Sequence, residues 1–360
     1  MAAWRVPSPA ETRFVLPAVK HDAQTITAVV HRSVELPTPT ASAHASSIAV
    51  LPDGSLRVAW FGGAKEGAAD VGIWIAAIGA DGAVGDHWLA LSRGDLQRRL
   101  HRVIRILGNP VVWCDPNGVL RMWVVSVSYG GWSGSAISAL DSGDGGRTWD
   151  HARRLVLSPM FNLSTLVRAQ PVPLSGGATG LPAYHELGKK WGLWVRLDGS
   201  GHVCAMERLG MAAGNWLQPS VAPLDESHAL ALLRCATAEV GAIGSATTSD
   251  GGGMWNSGGP IGIPNPDSGL AVITLHDGSL LLAANPSKVG RARLQLFRSR
   301  DRGATWTPSR TVAQQDGAEY SYPCLVESPD GVIHLSYTRM RRGISLVSFT
   351  SAWLDEVAAP

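Results

Sequence analysis

A chain of 360 residues, 45% hydrophobic and 17% charged, is long enough to bury a sizeable core as one large domain or two ordinary ones. Its formal net charge of +2 supplies no dense basic face, which argues against a nucleic-acid or membrane-surface partner. All but five of its 31 cations are Arg, whose planar fork suits the recognition of carboxylates.

The first residues, Met-Ala-Ala-Trp-Arg-Val-Pro-Ser-Pro, lack the apolar stretch of a secretory leader, and no run approaches the roughly 18 apolar residues of a spanning helix. The expectation is a cytoplasmic protein without a membrane partner. Residues 1–40 read as an N-terminal segment joining a single body that runs from 41 to 354. Cys114, Cys204, Cys235 and Cys324 are widely spaced, with no pairing at zinc-ligand spacing, so they read as free thiols, with no metal and no cofactor expected.

Gly (41) and Pro (22) are abundant, and short apolar runs end in Asp-Gly or Asn-Gly turns, which is an all-β signature. Six segments share one layout: a polar residue, often followed by Pro, then a short apolar strand, a turn and a second strand. In chain order they begin near His44, Asn109, Gln170, Gln218, Asn265 and Tyr322. Starts separated by roughly 50 to 65 residues suit a four-stranded blade with its loops, and six units predict a six-bladed β-propeller.

Between the first and second of these units, residues 94–107 place Leu96, Leu100, Val103, Ile104 and Leu107 at helical spacing, with Arg98, Arg99, Arg102 and Arg105 largely opposite. That pattern predicts a short helix or basic loop over one face of the propeller. A second repeat falls out of phase with the first. Ser142-Gly-Asp144-Gly-Gly146-Arg-Thr148-Trp149 and Ser299-Arg-Asp301-Arg-Gly303-Ala-Thr305-Trp306 share Ser-X-Asp-X-Gly-X-Thr-Trp, and a degenerate copy runs from Thr248 to Trp255. The carboxylate can accept backbone N–H groups of a turn, Gly can supply a positive φ, and Trp can pack between sheets.

In a propeller the innermost strand of each blade lines the axis, so equivalent positions of the six units converge. The unit starts give His44, Asn109, Gln170, Gln218, Asn265 and Tyr322. The ends of the second strands and the loops after them give Glu66 and Asp70, Tyr129, the run Tyr184-His185-Glu186, Arg234, Asn285 with Arg291, and Arg339 to Arg342. Buried ions are costly unless paired or used. Arg234 interrupts an apolar strand, which singles it out. Asn109, Gln170 and Asn265 also suit a purely structural role in satisfying backbone groups.

The out-of-phase repeat is the Asp box, and from about residue 40 to 354 the chain resembles the BNR-repeat sialidase (neuraminidase) families. It is similar to their divergent branch in Glu66-Gly-Ala-Ala-Asp70, Gly108-Asn-Pro110, Tyr184-His-Glu186, Asn265-Pro-Asp-Ser-Gly269 and Ser321-Tyr-Pro323. The resemblance implies a sugar-cleaving site with a tyrosine nucleophile, an arginine clamp for the substrate carboxylate, and an aspartate as acid and base. An anomeric carbon that carries a carboxylate repels an anionic nucleophile but admits a phenol.

Residue by residue, the resemblance implies Tyr322 as nucleophile with Tyr320 in reserve, Asp70 as acid/base with Glu66 competing, and Arg234 and Arg291 in the clamp. His44, Asn109, Gln218, Tyr184 and Arg341 are the other expected substrate contacts. Two positions depart from the family pattern: His44 stands where a clamp arginine is expected, and Gln218 stands where the base that assists the tyrosine is expected. Glu186, Glu319 or His185 is then needed as the base. The expected partner is an acidic glycan. The leading expectation is an exo-acting glycoside hydrolase releasing sialic acid or a related nonulosonate or uronate. A polysaccharide lyase using His44, His185, Tyr184 and Arg234, and a non-catalytic glycan-binding propeller, are the alternatives.

Overall fold

The repeats build six antiparallel sheets around one axis, five of four strands and one, in the third blade, whose first strand is split in two. The structure, a computed structural model, describes residues 12–17, 30–157, 162–210, 214–237 and 239–356. Strand β1 (His31–Leu36) precedes blade one, which comprises β2 (Ser42–Val50), β3 (Leu56–Gly63), β4 (Gly72–Ile78) and β5 (Val84–Leu91). Helix α1 (Arg93–Leu100) leads to blade two, with β6 (Ile106–Cys114), β7 (Leu120–Val127), β8 (Ser135–Ser142) and β9 (Asp150–Arg154). Blade three holds β10 (Thr165–Val167), β11 (Val172–Pro173), β12 (Thr179–His185), β13 (Trp191–Leu197) and β14 (Val203–Arg208). Blade four is β15 (Trp216–Pro223), β16 (Ala229–Cys235), β17 (Ala242–Thr248) and β18 (Asn256–Pro264), and blade five is β19 (Ala271–Thr274), β20 (Leu280–Ala284), β21 (Arg293–Ser299) and β22 (Thr307–Gln314). Blade six contains β23 (Tyr320–Glu327), β24 (Ile333–Arg339) and β25 (Gly343–Phe349), followed by helix α2 (Ser351–Asp355).

The chain supplies only three strands to the sixth repeat, and β1 completes it. Strand β1 pairs antiparallel with β25 from Leu36 opposite Ile344 to His31 opposite Phe349. Leu36, buried at 5% exposure, joins the apolar cluster shared by blades one and six. The ring is thus closed by strands from both ends of the body, which covers an otherwise open sheet edge.

The Asp boxes sit between the third and fourth strands of blades two, four and five. Asp144 accepts the backbone N–H groups of Arg147 and Thr148 at 3.0 and 2.9 Å and the Thr148 hydroxyl at 2.7 Å. Gly146, at φ 90, directs its N–H to Ser142 Oγ at 2.8 Å. Asp301 and Gly303 repeat the arrangement. The degenerate copy is a complete turn as well: Thr248 takes the place of Ser, and Met254 supplies only its backbone N–H to Asp250. The turns anchor Trp149 and Trp255 in buried positions, and Trp255 lies 5.6 Å from Trp194 of the preceding blade.

The helical spacing of residues 94–107 holds only for its first half. Helix α1 is capped by Ser92 and Asp95 in a capping box and ends where His101 turns left-handed at φ 47. Leu96, Ile104 and Leu107 are buried against blades one and two, but Val103 is 53% exposed, and the segment from Ile106 is already strand β6.

A recurrent irregularity shapes the axis. The pairing of first and second strands slips by one residue between His44 and Ser47, Gly108 and Val111, Leu217 and Ser220, and Ser321 and Cys324. In each bulge one residue has a positive φ: Ala45, Asn109, Gln218 and Tyr322, at 52, 42, 50 and 55°. Bulges of this kind re-aim a side chain at the cost of a ladder hydrogen bond. Proline lacks the N–H that the bulge would leave unpaired, which accounts for Asn109-Pro110, Gln218-Pro219 and Tyr322-Pro323.

Candidate active site at the propeller axis

The bulges bring the unit starts together at the end of the axis where the first strands begin. Arg234, at the end of β16, donates from Nη1 to the Tyr322 hydroxyl at 3.2 Å and to Gln218 Oε1 at 3.1 Å. Its Nε donates to Asp267 Oδ1 at 2.5 Å. Gln218 Nε2 and Asn109 Nδ2 both donate to the Tyr184 hydroxyl at 3.3 Å. Blades two, three, four and six are therefore joined through polar side chains at the axis.

Three further cations surround the phenol. The Arg291 guanidinium carbon lies 5.9 Å from the Tyr322 ring and that of Arg168 lies 5.0 Å from it. Arg291 donates to Glu319 Oε1 at 3.1 Å and to the Asp267 carbonyl at 2.8 Å. Arg341 donates to both oxygens of Glu319, at 3.2 and 3.1 Å, and to Glu66 Oε2 at 2.9 Å. The His44 ring stands edge-on to the Tyr322 ring with centroids 4.5 Å apart.

This setting decides protonation. Burial pushes the Tyr322 phenol up, but the Arg234 charge, the Gln218 hydrogen bond and the Arg291 charge outweigh it and leave the phenol below its usual value. Tyr184 is raised by its burial, which outweighs the Gln218 hydrogen bond and the Arg234 charge. His44 is held neutral, first by burial and then by the surrounding Arg341, Arg291, Arg168 and Arg234. Glu319 stays ionised because its bonds from Arg341 and Ser321 prevail over its burial.

The structure brings together Tyr322, Arg234, Arg291, Arg341, Gln218, Asn109, Tyr184, His44 and Glu66. It does not bring His185 and Glu186 into this set. Successive strand residues face opposite ways, and with Tyr184 directed at the axis, His185 stacks on Trp191 at 4.0 Å and its Nε2 meets the Leu187 carbonyl at 3.1 Å. Glu186 lies past the strand end, 3.8 Å from Lys190. Neither is placed to take a proton from Tyr322. Asp70 is exposed in the loop between β3 and β4, where its carboxylate accepts the Ala64 N–H at 2.9 Å. Tyr320 packs against Tyr337 in the core. Asn265 bonds within its own turn to Ser268, and Gln170 bonds Ser47 and the Ile48 carbonyl across the axis.

Three participants were not expected from sequence. Asp267 sits at φ 53 in the Asn265-to-Gly269 turn and presents both its carboxylate and its carbonyl to the arginines. Gly269 lets that turn approach closely, since a Cβ there would meet Gln218 Oε1 at 3.1 Å and Tyr322 Cδ1 at 3.5 Å. Arg168 lies where the first strand of blade three breaks into β10 and β11. The signal that singled out Arg234, a cation interrupting an apolar run, was present in Thr165-Leu-Val-Arg168-Ala as well. No group of His, Cys, Asp and Glu suited to a metal ion occurs among the described residues.

A cavity of about 500 Å³ opens at the opposite end of the axis. Its walls are mostly the apolar ends of the first strands, including Ile48, Val50, Val172, Val272 and Val326. The chemistry is concentrated at the Tyr322 end.

Residues 54–335 match the BNR repeat-like domain. The chain belongs to that family. No curated protein sequence matches it significantly. Among solved structures, this BNR repeat-like protein is similar to the Hadza microbial sialidase Hz136, with TM-score 0.71 and 16% identity over 87% of this chain and 66% of that one. It is also similar to the Trypanosoma rangeli sialidase, with TM-score 0.70 and 13% identity over 91% of this chain and 60% of that one. The Penicillium chrysogenum alpha-L-arabinanase, in complex with arabinobiose, matches with TM-score 0.60 and 13% identity over 92% of this chain and 100% of that one. The BNR repeat-like chain thus spans two thirds or less of the two sialidases and all of the arabinanase. Likeness at these identities establishes the propeller fold.

Proposed function

We propose that this protein is an exo-acting glycoside hydrolase that releases a terminal acidic sugar, with Tyr322 as nucleophile. The observation that carries the reading is the Arg234 bond to the Tyr322 hydroxyl within a set of four arginines. Arginine forks meet both oxygens of a carboxylate, and here Arg234, Arg291 and Arg341 are positioned around the residue that would attack the carbon bearing it. Asp267, Glu319 and Glu66 hold these arginines in place and keep their charges compensated until substrate arrives.

In the first step the Tyr322 oxygen bonds to the anomeric carbon and the glycosidic bond breaks, with a carboxylic acid of the loop between β3 and β4, Asp70 or Glu66, protonating the departing oxygen. Water then attacks the same carbon, gives its proton to that carboxylate, and the tyrosine leaves with the bonding electron pair. Gln218 cannot serve as the base that a carboxylate would be at its position. The surrounding cations hold the phenol below its usual value, and the proton it gives up as it attacks passes to water. The neighbouring folds fit a glycan-processing role, since those matched include sialidases and an arabinanase.

His44 favours a second reading. Held neutral against Tyr322, it has the form that abstracts a proton, as a uronate lyase requires, with Tyr322 then protonating the leaving group. A screen of fluorogenic acidic glycosides and uronate-containing glycans on wild type and Tyr322→Phe tests both. Hydrolysis lost in Tyr322→Phe supports the first reading, and an unsaturated product absorbing in the ultraviolet supports the second. Turnover unchanged in Tyr322→Phe removes Tyr322 from the reaction.

A further inference from the structure

We propose that Arg168 is a positioning residue for Tyr322, fixing from beneath the ring the bulge that aims the phenol and holding a positive charge against its face. This rests on the reading of Tyr322 as the reacting group, but its physical content concerns the phenol alone.

Arg168 is a costly residue to place where it is. Only 4% of it is exposed, its Nε is buried without a partner, and no carboxylate forms an ion pair with it among the described residues. An unpaired buried cation is strongly disfavoured, and an apolar side chain of similar length would fill the space at lower cost. Its retention calls for a use, and the geometry indicates one. Nη2 donates to the Pro323 carbonyl at 2.6 Å, which ties down the residue following Tyr322 in the left-handed bulge. The guanidinium carbon lies 5.0 Å from the Tyr322 ring, within range for a cation over an aromatic face.

The break between β10 and β11 is what allows this. Val167 opposes Ala183 and Val172 opposes Gly180, so Arg168 to Pro171 leave the ladder and the Arg168 side chain can reach across the axis to blade six. The other groups facing Tyr322 are Arg234 and Gln218 of blade four, Arg291 of blade five, Arg341 of blade six, His44 of blade one and Tyr184 of blade three. Asp267 and Glu319 engage three of the other arginines. Alone of the four arginines, Arg168 has no carboxylate ion-pair partner among the described residues, and its guanidinium carbon lies closer to the ring than that of Arg291.

Ultraviolet titration of tyrosinate tests the assignment without a substrate. The chain has five tyrosines, and subtracting the Tyr322→Phe curve isolates the one in question. Arg168→Gln keeps a donor for the Pro323 carbonyl but removes the charge, and Arg168→Met keeps only bulk. Both are expected to raise the Tyr322 midpoint by about one to two pH units. A lowered melting temperature with the wild-type midpoint in Arg168→Gln would overturn the proposal and leave Arg168 a packing residue. If Arg168→Met does not fold, the Gln variant decides alone. A shifted midpoint with no turnover of any acidic glycan would reject the hydrolase reading and keep this one, whereas an unshifted midpoint with normal turnover would do the reverse.

Discussion

Arg234 and Tyr322 stand 88 positions apart in the chain, yet the guanidinium of one lies 3.2 Å from the hydroxyl of the other. One is the end of a second strand in blade four and the other is a bulge in the first strand of blade six. Radial symmetry alone makes them neighbours, and the guanidinium charge helps hold the phenol below its usual value.

Removing that contact has a defined consequence. Arg234→Met should raise the Tyr322 midpoint and lower kcat/KM on an acidic substrate by about a hundredfold or more, the range seen when a charge-stabilising donor is lost. Steady-state kinetics against pH would check this. An unchanged profile would mean that the bond has no functional role.

The Asp-box glycines differ from the hairpin glycines in what surrounds them. Gly303 has φ 91, and a Cβ there would meet Leu230 Cδ2 at 2.5 Å, whereas Gly278 at φ 80 has open space. Both alanine variants bear backbone strain, but Gly303→Ala must also displace the Leu230 side chain of the neighbouring blade. It should be the less stable of the two by about 1 to 3 kcal/mol, measured by denaturant unfolding.

The ring closure should be felt in global stability. Leu36→Ala empties a buried position on the strand that completes blade six and should cost about 2 to 3 kcal/mol. Unfolding should remain a single transition, because the closing strand and the blade it completes share one core.

Burial lowers the His334 imidazole from 6.5 to about 4, with Asp330 opposing weakly; the ring bonds Ser348 and Ser328. A base depressed in the folded state contributes stability in full above its unfolded value, and that contribution is lost as pH falls from 6.5 toward 4. His334→Gln should therefore narrow the stability difference between about pH 7 and about pH 5 by roughly 2 kcal/mol. Denaturant unfolding at the two pH values reads this directly. His44 adds a slope of the same sign, so some dependence persists.

The blade count was legible because the repeat is written in strand starts and turns, which are local. Tyr322, Gln218 and Asn109 were legible as axial residues because each precedes a proline that marks the bulge. Asp267 was not, since a turn residue at positive φ carries no sign of the guanidinium it meets from another blade. His185 misled because Tyr184 and Glu186 flank it as polar neighbours, while strand alternation sends it to the other face. The departure at Gln218 was visible in the sequence, but the cations gathered around Tyr322 depend on distances between blades.

Trapping the covalent intermediate tests the central claim most directly. The protein would be incubated with a fluorinated acidic glycosyl fluoride, digested, and mapped by mass spectrometry. A sugar adduct on the peptide bearing Tyr322, absent in Tyr322→Phe, is the predicted result. An adduct on another residue, or turnover of the parent glycoside with no adduct on Tyr322, would contradict the account.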